Sequence, residues 1–212
     1  MQLDHDDRVV SLKIVYYGPA LSGKTTNLQA LRDCLPRGSV GRLVTLETRD
    51  RRTLFLDLLP VVFHTATAYR VRIRLLTVPG QVMHEATRRV LLQDVDGVVF
   101  VADSQIRETT TNNASFRELR EVLVDDVPLV LQFNKRDLPA VRSDDELGRL
   151  ATSRRLPVVG AVALRGEGVR ETLARVLALV WRRQAAAHGL EALLGVDEAG
   201  FVDRVLGTMA TP

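Results

Sequence analysis

The chain has 212 residues, 46% of them apolar, with a mean hydropathy of +0.02 and a formal charge of +3. That length buries a core as one domain with appendages, and the composition is too apolar for disorder. Without a Lys/Arg run or interleaved basic and aromatic residues, nucleic-acid binding has no support, and the single cysteine, Cys34, leaves no intramolecular disulfide.

The opening Met-Gln-Leu-Asp-His-Asp-Asp lacks the basic-then-apolar order of a signal peptide, and Gln2 and the final Thr-Pro carry no lipidation signal. Nothing approaches 18 uninterrupted apolar residues, so no integral membrane segment is expected and a reducing cytoplasm is the expected location.

In chain order, the apolar run Leu12–Tyr17 predicts a strand, and Thr26–Leu35 suits a helix. Between them Gly-Pro-Ala-Leu-Ser-Gly-Lys-Thr (18–25) completes a G-x-x-x-x-G-K-[ST] phosphate loop. In that strand–loop–helix context Gly18, Pro19, Ala20, Leu21, Ser22, Gly23, Lys24, Thr25 and Thr26 are expected to surround the phosphates of a nucleoside triphosphate. Lys24 would reach the β- and γ-phosphates, and the Thr25 hydroxyl would ligate Mg²⁺.

Arg49-Asp50-Arg51-Arg52-Thr53 follows. A threonine is needed here to close over Mg²⁺ and the γ-phosphate, and Thr53 is the best placed. From charge alone the arginines have two readings: a guanidinium for the transferring phosphoryl oxygens, or a solvated basic face. Val71-Arg72-Ile73-Arg74-Leu75 alternates strictly, which predicts a half-solvated strand near a sheet edge, paired with Pro60–Thr65 as a hairpin. After it, Thr77-Val78-Pro79-Gly80-Gln81 would place the Gly80 N–H at the γ-phosphate and Gln81 on the attacking water. Thr77 stands where an aspartate is usual, so a weaker hold on Mg²⁺ is expected.

Val95–Ala102 and Val127–Phe133 read as buried strands around a helix over Thr109–Leu123. Asn134-Lys135-Arg136-Asp137 ends the second of them. The Asp137 carboxylate would accept from guanine N1–H and N2, which adenine cannot offer. Asn134 would tie this loop to the phosphate loop, and the Lys135 stem would cover the base. Ser143-Asp144-Asp145-Glu146 is a capping box, Pro157–Val162 a further strand, and Gly168–Arg183 a helix with Val169, Leu173, Val176, Leu177 and Val180 on one stripe. Residues 1–183 form the expected domain. Residues 184–212, with Phe201, Val202, Val205 and Leu206 on one helical face, form a short helical extension, either packed on the domain or serving a partner.

Taken together, the stretches 13–27, 50–60, 77–82, 96–105 and 132–139 resemble the MglA-type bacterial gliding-motility and cell-polarity GTPases, in order over about residues 10–182. Thr-Val-Pro-Gly-Gln is distinctive of that family. The resemblance implies a Ras-like α/β fold: a mostly parallel six-stranded sheet with helices on both faces. It also implies a GTP/GDP cycle with Mg²⁺, Thr77 as the family's ordinary residue, Arg52 as an intrinsic arginine finger and Gln81 as the water-orienting group. Ala163 falls where a backbone N–H meets guanine O6. An MglB-like roadblock-fold dimeric activator, GTP-state effectors and recruitment to a cell pole are implied as well. Met83-His84 departs from the aromatic pair usual after Val-Pro-Gly-Gln, and the extension is additional.

A GTP-hydrolysing switch is therefore the leading expectation, with Gln81, Arg52, Lys24 and Thr53 as catalytic residues. The runner-up is a hydrolysis-poor GTP-binding assembly module, left open by the altered Met83-His84 edge and the extension, and opposed by Gln81 and Arg52. An Arf-type membrane-recruited GTPase conflicts with Gln2, and an ATP-dependent kinase would leave Asp137 without a purpose.

Overall fold

The computed structural model describes residues 1–48, 54–78 and 85–208. Apolar runs and helical stripes set the element order: β1 (Gln2–Asp4), β2 (Val9–Tyr17), α1 (Lys24–Cys34), β3 (Val44–Thr48), β4 (Leu54–His64), β5 (Arg70–Thr77), α2 (Glu85–Leu92) and β6 (Gly97–Asp103). Then come α3 (Thr109–Val122), β7 (Leu129–Asn134), α4 (Asp144–Arg154), β8 (Val158–Gly160), α5 (Val169–His188), α6 (Leu190–Leu194) and α7 (Glu198–Leu206).

The strands form one sheet in the order β3-β4-β5-β2-β6-β7-β8, with β1 antiparallel on β2. From β5 to β8 every neighbouring pair is parallel, whereas β3–β4 and β4–β5 are antiparallel. The α/β class and the parallel core match expectation, but the sheet has eight strands rather than six. The short β1 and the polar Val44–Thr48 lack the apolar run that announces the other strands.

The hairpin pairs as expected, from Leu58 opposite Leu76 to His64 opposite Arg70. Its second strand is not near an edge: β5 lies between β4 and β2. Val71, Ile73 and Leu75 are buried while Arg72 and Arg74 are exposed. Alternation reports one solvated face, and an interior strand has one wherever no helix covers it.

One core layer packs β2, β4 and β5 against α1, α5 and α7, and a second joins the other face of the sheet to α3 and α4. Strands β6 and β7 are buried on both faces throughout, which their unbroken apolar runs require. Helix α4 begins on the anticipated capping box: Glu146 N–H donates to Ser143 Oγ at 3.2 Å, and Ser143 N–H donates to Glu146 Oε2 at 2.8 Å. Helix α5 runs past residue 184 to His188, and α7 seats Phe201 between Phe63 of β4 and Trp181 of α5 at 6.0 and 5.0 Å between ring centroids. The architecture places the loops after β2, β6, β7 and β8 at the carboxyl edge of the parallel strands, where α/β sheets bind ligands.

Candidate nucleotide site

The loop from Gly18 to Gly23 joins β2 to α1. Gly23 has φ +100°, and a Cβ there would lie 2.2 Å from Asn134 Nδ2, so the backbone conformation and the neighbouring loop both demand glycine. A Cβ at Gly18 would meet the Val101 carbonyl at 2.2 Å. Lys24, the first residue of α1, is only 7% exposed, and its ammonium donates to the carbonyls of Gly18 (2.9 Å) and Pro19 (2.6 Å). Among the described residues no carboxylate pairs with it. Burial lowers its pKa from the ordinary 10.5 to about 8. Ser22 Oγ is also buried there without a partner among the described residues. A desolvated cation beside an unsatisfied hydroxyl, at the start of a helix, fits a phosphate group.

Asn134 at the end of β7 performs the expected tie: its Nδ2 donates to the Ser22 carbonyl at 2.9 Å. Its Oδ1 accepts from the Ala163 N–H at 2.9 Å, so the N–H expected to face a base is turned toward Asn134 in this structure. Lys135 adopts φ +65°, and its ammonium pairs with Asp103 at 2.7 Å. Asp137 Oδ2 lies 3.5 Å from the Arg165 guanidinium. Both loops that would read the base thus converge on the phosphate loop through one asparagine.

Thr25 brings in a residue to which sequence reasoning gave no role. Its hydroxyl donates to Asp57 Oδ2 at 2.6 Å, and the Thr77 and Thr45 hydroxyls donate to the same carboxylate at 3.2 and 2.9 Å. The Asp57 N–H returns a bond to Thr77 Oγ1 at 3.0 Å. The carboxylate missing from position 77 is therefore supplied by the neighbouring antiparallel strand. Its one sequence signal is a lone acid inside Leu54-Phe55-Leu56-Asp57-Leu58-Leu59. Arg52, Thr53, Gly80 and Gln81, with Met83 and His84, lie outside the described residues.

The chain matches no protein-family model. It is 42% identical over 184 residues to the mutual gliding-motility protein MglA of Myxococcus xanthus, covering 84% of this chain and 94% of that protein. The chain belongs to the MglA family of small GTPases. The shared region takes in most of this MglA-family chain. Among the described residues no helix is long and apolar enough to cross a membrane.

Proposed function

We propose that this MglA-family protein is a molecular switch that binds GTP, hydrolyses it to GDP and controls cell polarity or gliding motility through partners that engage its GTP form. The observation that carries the reading is Lys24: a buried ammonium held, among the described residues, only by phosphate-loop carbonyls, in a loop that Asn134 ties to the base-recognition loops. Backbone N–H groups of Gly18 and of Ala20 to Thr26 would cradle the phosphates, with Lys24 exchanging its carbonyl partners for β- and γ-oxygens. Asp137 would hold the guanine N1–H and N2 edge, Lys135 would lie over the ring, and Ala163 would share its N–H between Asn134 and guanine O6. Thr25 and Thr53 would hold Mg²⁺, which when bound neutralises charge on the β- and γ-oxygens. By accepting a hydrogen bond from the Thr25 hydroxyl, Asp57 would leave that oxygen's lone pairs free for the metal.

Gly80 would meet the γ-phosphate, Gln81 would orient the water, and Arg52 would spread positive charge over the transferring group, a contribution of roughly 10³–10⁵ in rate where an arginine finger operates. These roles rest on the family membership. Residues 1–183 would form the GTPase domain and 184–212 its extension. An MglB-like roadblock-fold dimer would activate it, aligning the GTPase's own groups, and partners would bring the cytoplasmic protein to a pole. The relative's name, mutual gliding-motility protein, supports that process.

The deciding experiment is single-turnover GTP hydrolysis with Mg²⁺, alone and with a roadblock-family protein from the same genome, alongside Arg52→Ala and Gln81→Leu. Slow turnover that the partner accelerates and both substitutions abolish is expected. Tight GTP binding without turnover under either condition would replace the switch by a GTP-sensing assembly module.

A further inference from the structure

On the face of the sheet away from α1 and α5, helices α3 and α4 stand apart over β6 and β7 and leave a cavity of about 480 Å³. Its floor is apolar: Phe100 and Phe133 are buried beneath it, and Phe116 meets Phe100 edge-on at 5.1 Å. Its rim is cationic. Arg142 spans the gap at one end, donating to Thr109 at 2.7 Å, and Arg154 crosses it at the other, its guanidinium 4.9 Å from the Phe116 ring centroid. Arg149 lines the same cavity.

The charges around this cavity do not cancel. The Glu146 carboxylate is committed to the Ser143 N–H at the α4 cap and lies 3.6 Å from Arg142. Arg149 contacts the Asp145 backbone carbonyl at 3.3 Å and stands near enough to Glu146 to help hold that carboxyl below its usual range, and Arg154 has the Phe116 ring; neither is ion-paired with a carboxylate among the described residues. Asn112 in the same wall is spent on both backbone groups of Asp103, at 3.1 and 2.8 Å. A volume in the range of small-molecule sites, an apolar floor and two rim guanidinia with no ion-paired carboxylate among the described residues define one class of occupant.

We propose that this cavity binds a small amphipathic anion, with its hydrocarbon body on the Phe100–Phe116–Phe133 floor and its single acidic head between Arg149 and Arg154. The cavity contains none of the residues assigned to nucleotide, so occupancy is independent of the guanine site. It rests on geometry alone, not on the GTPase reading.

Calorimetric titration of the full chain with decanoate, in the presence and absence of GDP, tests this, with the uncharged 1-decanol as control. Saturable one-to-one binding of decanoate below its micellar concentration is expected, unaffected by GDP and about tenfold tighter than that of the alcohol, or roughly 1.4 kcal/mol. Ser153→Trp, at an exposed rim position that leaves the core intact, should abolish binding by filling the mouth. Arg149→Glu/Arg154→Glu should abolish the preference for the anion, with circular dichroism confirming the fold of each variant. Absence of saturable binding, equal binding of the alcohol, loss of decanoate binding on adding GDP, or an isotherm unchanged by both variants would overturn the proposal.

Discussion

Gln132 Nε2 donates to Asn27 Oδ1 at 2.8 Å, joining the middle of β7 to the helix that follows the phosphate loop. The same nitrogen donates to Thr172 Oγ1 at 2.9 Å, Thr172 donates on to the Gly168 carbonyl at 2.7 Å, and Asn27 Nδ2 donates back to the Gly23 carbonyl at 3.0 Å. All three polar side chains belong to residues with 0% exposure. The chain of bonds runs from the phosphate loop to the start of α5, beside the direct link made by Asn134. Two buried polar bridges therefore fix the phosphate loop relative to the base loops, and buried polar groups of this kind are costly to leave unpaired.

Gln132→Leu should destabilise the protein by about 1–3 kcal/mol, because Asn27 Oδ1 loses its donor in a dry interior. Release of a fluorescent GDP analogue should also accelerate, as one of the two bridges behind the phosphate loop is gone. Chemical denaturation and stopped-flow release measure the two effects. A stability loss with unchanged release would confine Gln132 to a structural role.

Lys24 gives a pH-dependent prediction. Its pKa is about 8 in the folded chain against an ordinary 10.5, so the unfolded chain holds this proton more tightly. The sign follows: the group disfavours folding at neutral pH, and that penalty is relieved as pH rises from about 8 toward 10.5. Lys24→Met should make the nucleotide-free protein more stable at pH 7, on the order of 2–3 kcal/mol, with the gap to the parent closing by about pH 10.5. The same change should weaken GTP binding by at least about 100-fold through loss of charge-assisted bonds to phosphate. Paired urea titrations across pH and nucleotide-binding assays decide it.

Asp57→Asn keeps the size of the side chain but removes its charge from the cluster of Thr25, Thr45 and Thr77 hydroxyls. The concentration of Mg²⁺ needed to retain GTP should rise about three- to tenfold, with little change in EDTA. Equal Mg²⁺ requirement in the variant would show that Asp57 only braces β4 against β5.

Asp137→Asn replaces an acceptor-only carboxylate with an amide that also donates. GTP affinity should fall about 10–100-fold while ATP affinity, which never used this group, stays level. Competition titrations with the two nucleotides measure the ratio.

Phe201→Ala should cost about 3–5 kcal/mol, since the ring is 1% exposed and packed on both Phe63 and Trp181. A thermal unfolding curve suffices. The result would establish that α7 contributes to the stability of the sheet's β4 side.

The phosphate loop, the strand before and helix after it, the Asn134 loop, the α4 cap and the doubly buried strands β6 and β7 were legible in the order of residues. Each of these is specified by neighbours along the chain: a glycine at a required φ, a cap three residues from its partner, an apolar run buried on both sides. The folded arrangement set the place of β5 inside the sheet, because alternation encodes one wet face and not a strand's rank. It alone brought Asp57 to Thr25 and Thr77, since sheet register sets that contact across 32 and 20 residues of chain. It alone turned the Ala163 N–H onto Asn134, 29 residues away, and opened the cavity between α3 and α4. Short-range chemistry is written in local sequence, whereas which solvated or polar group meets which is fixed by strand order, register and the spacing of packed helices.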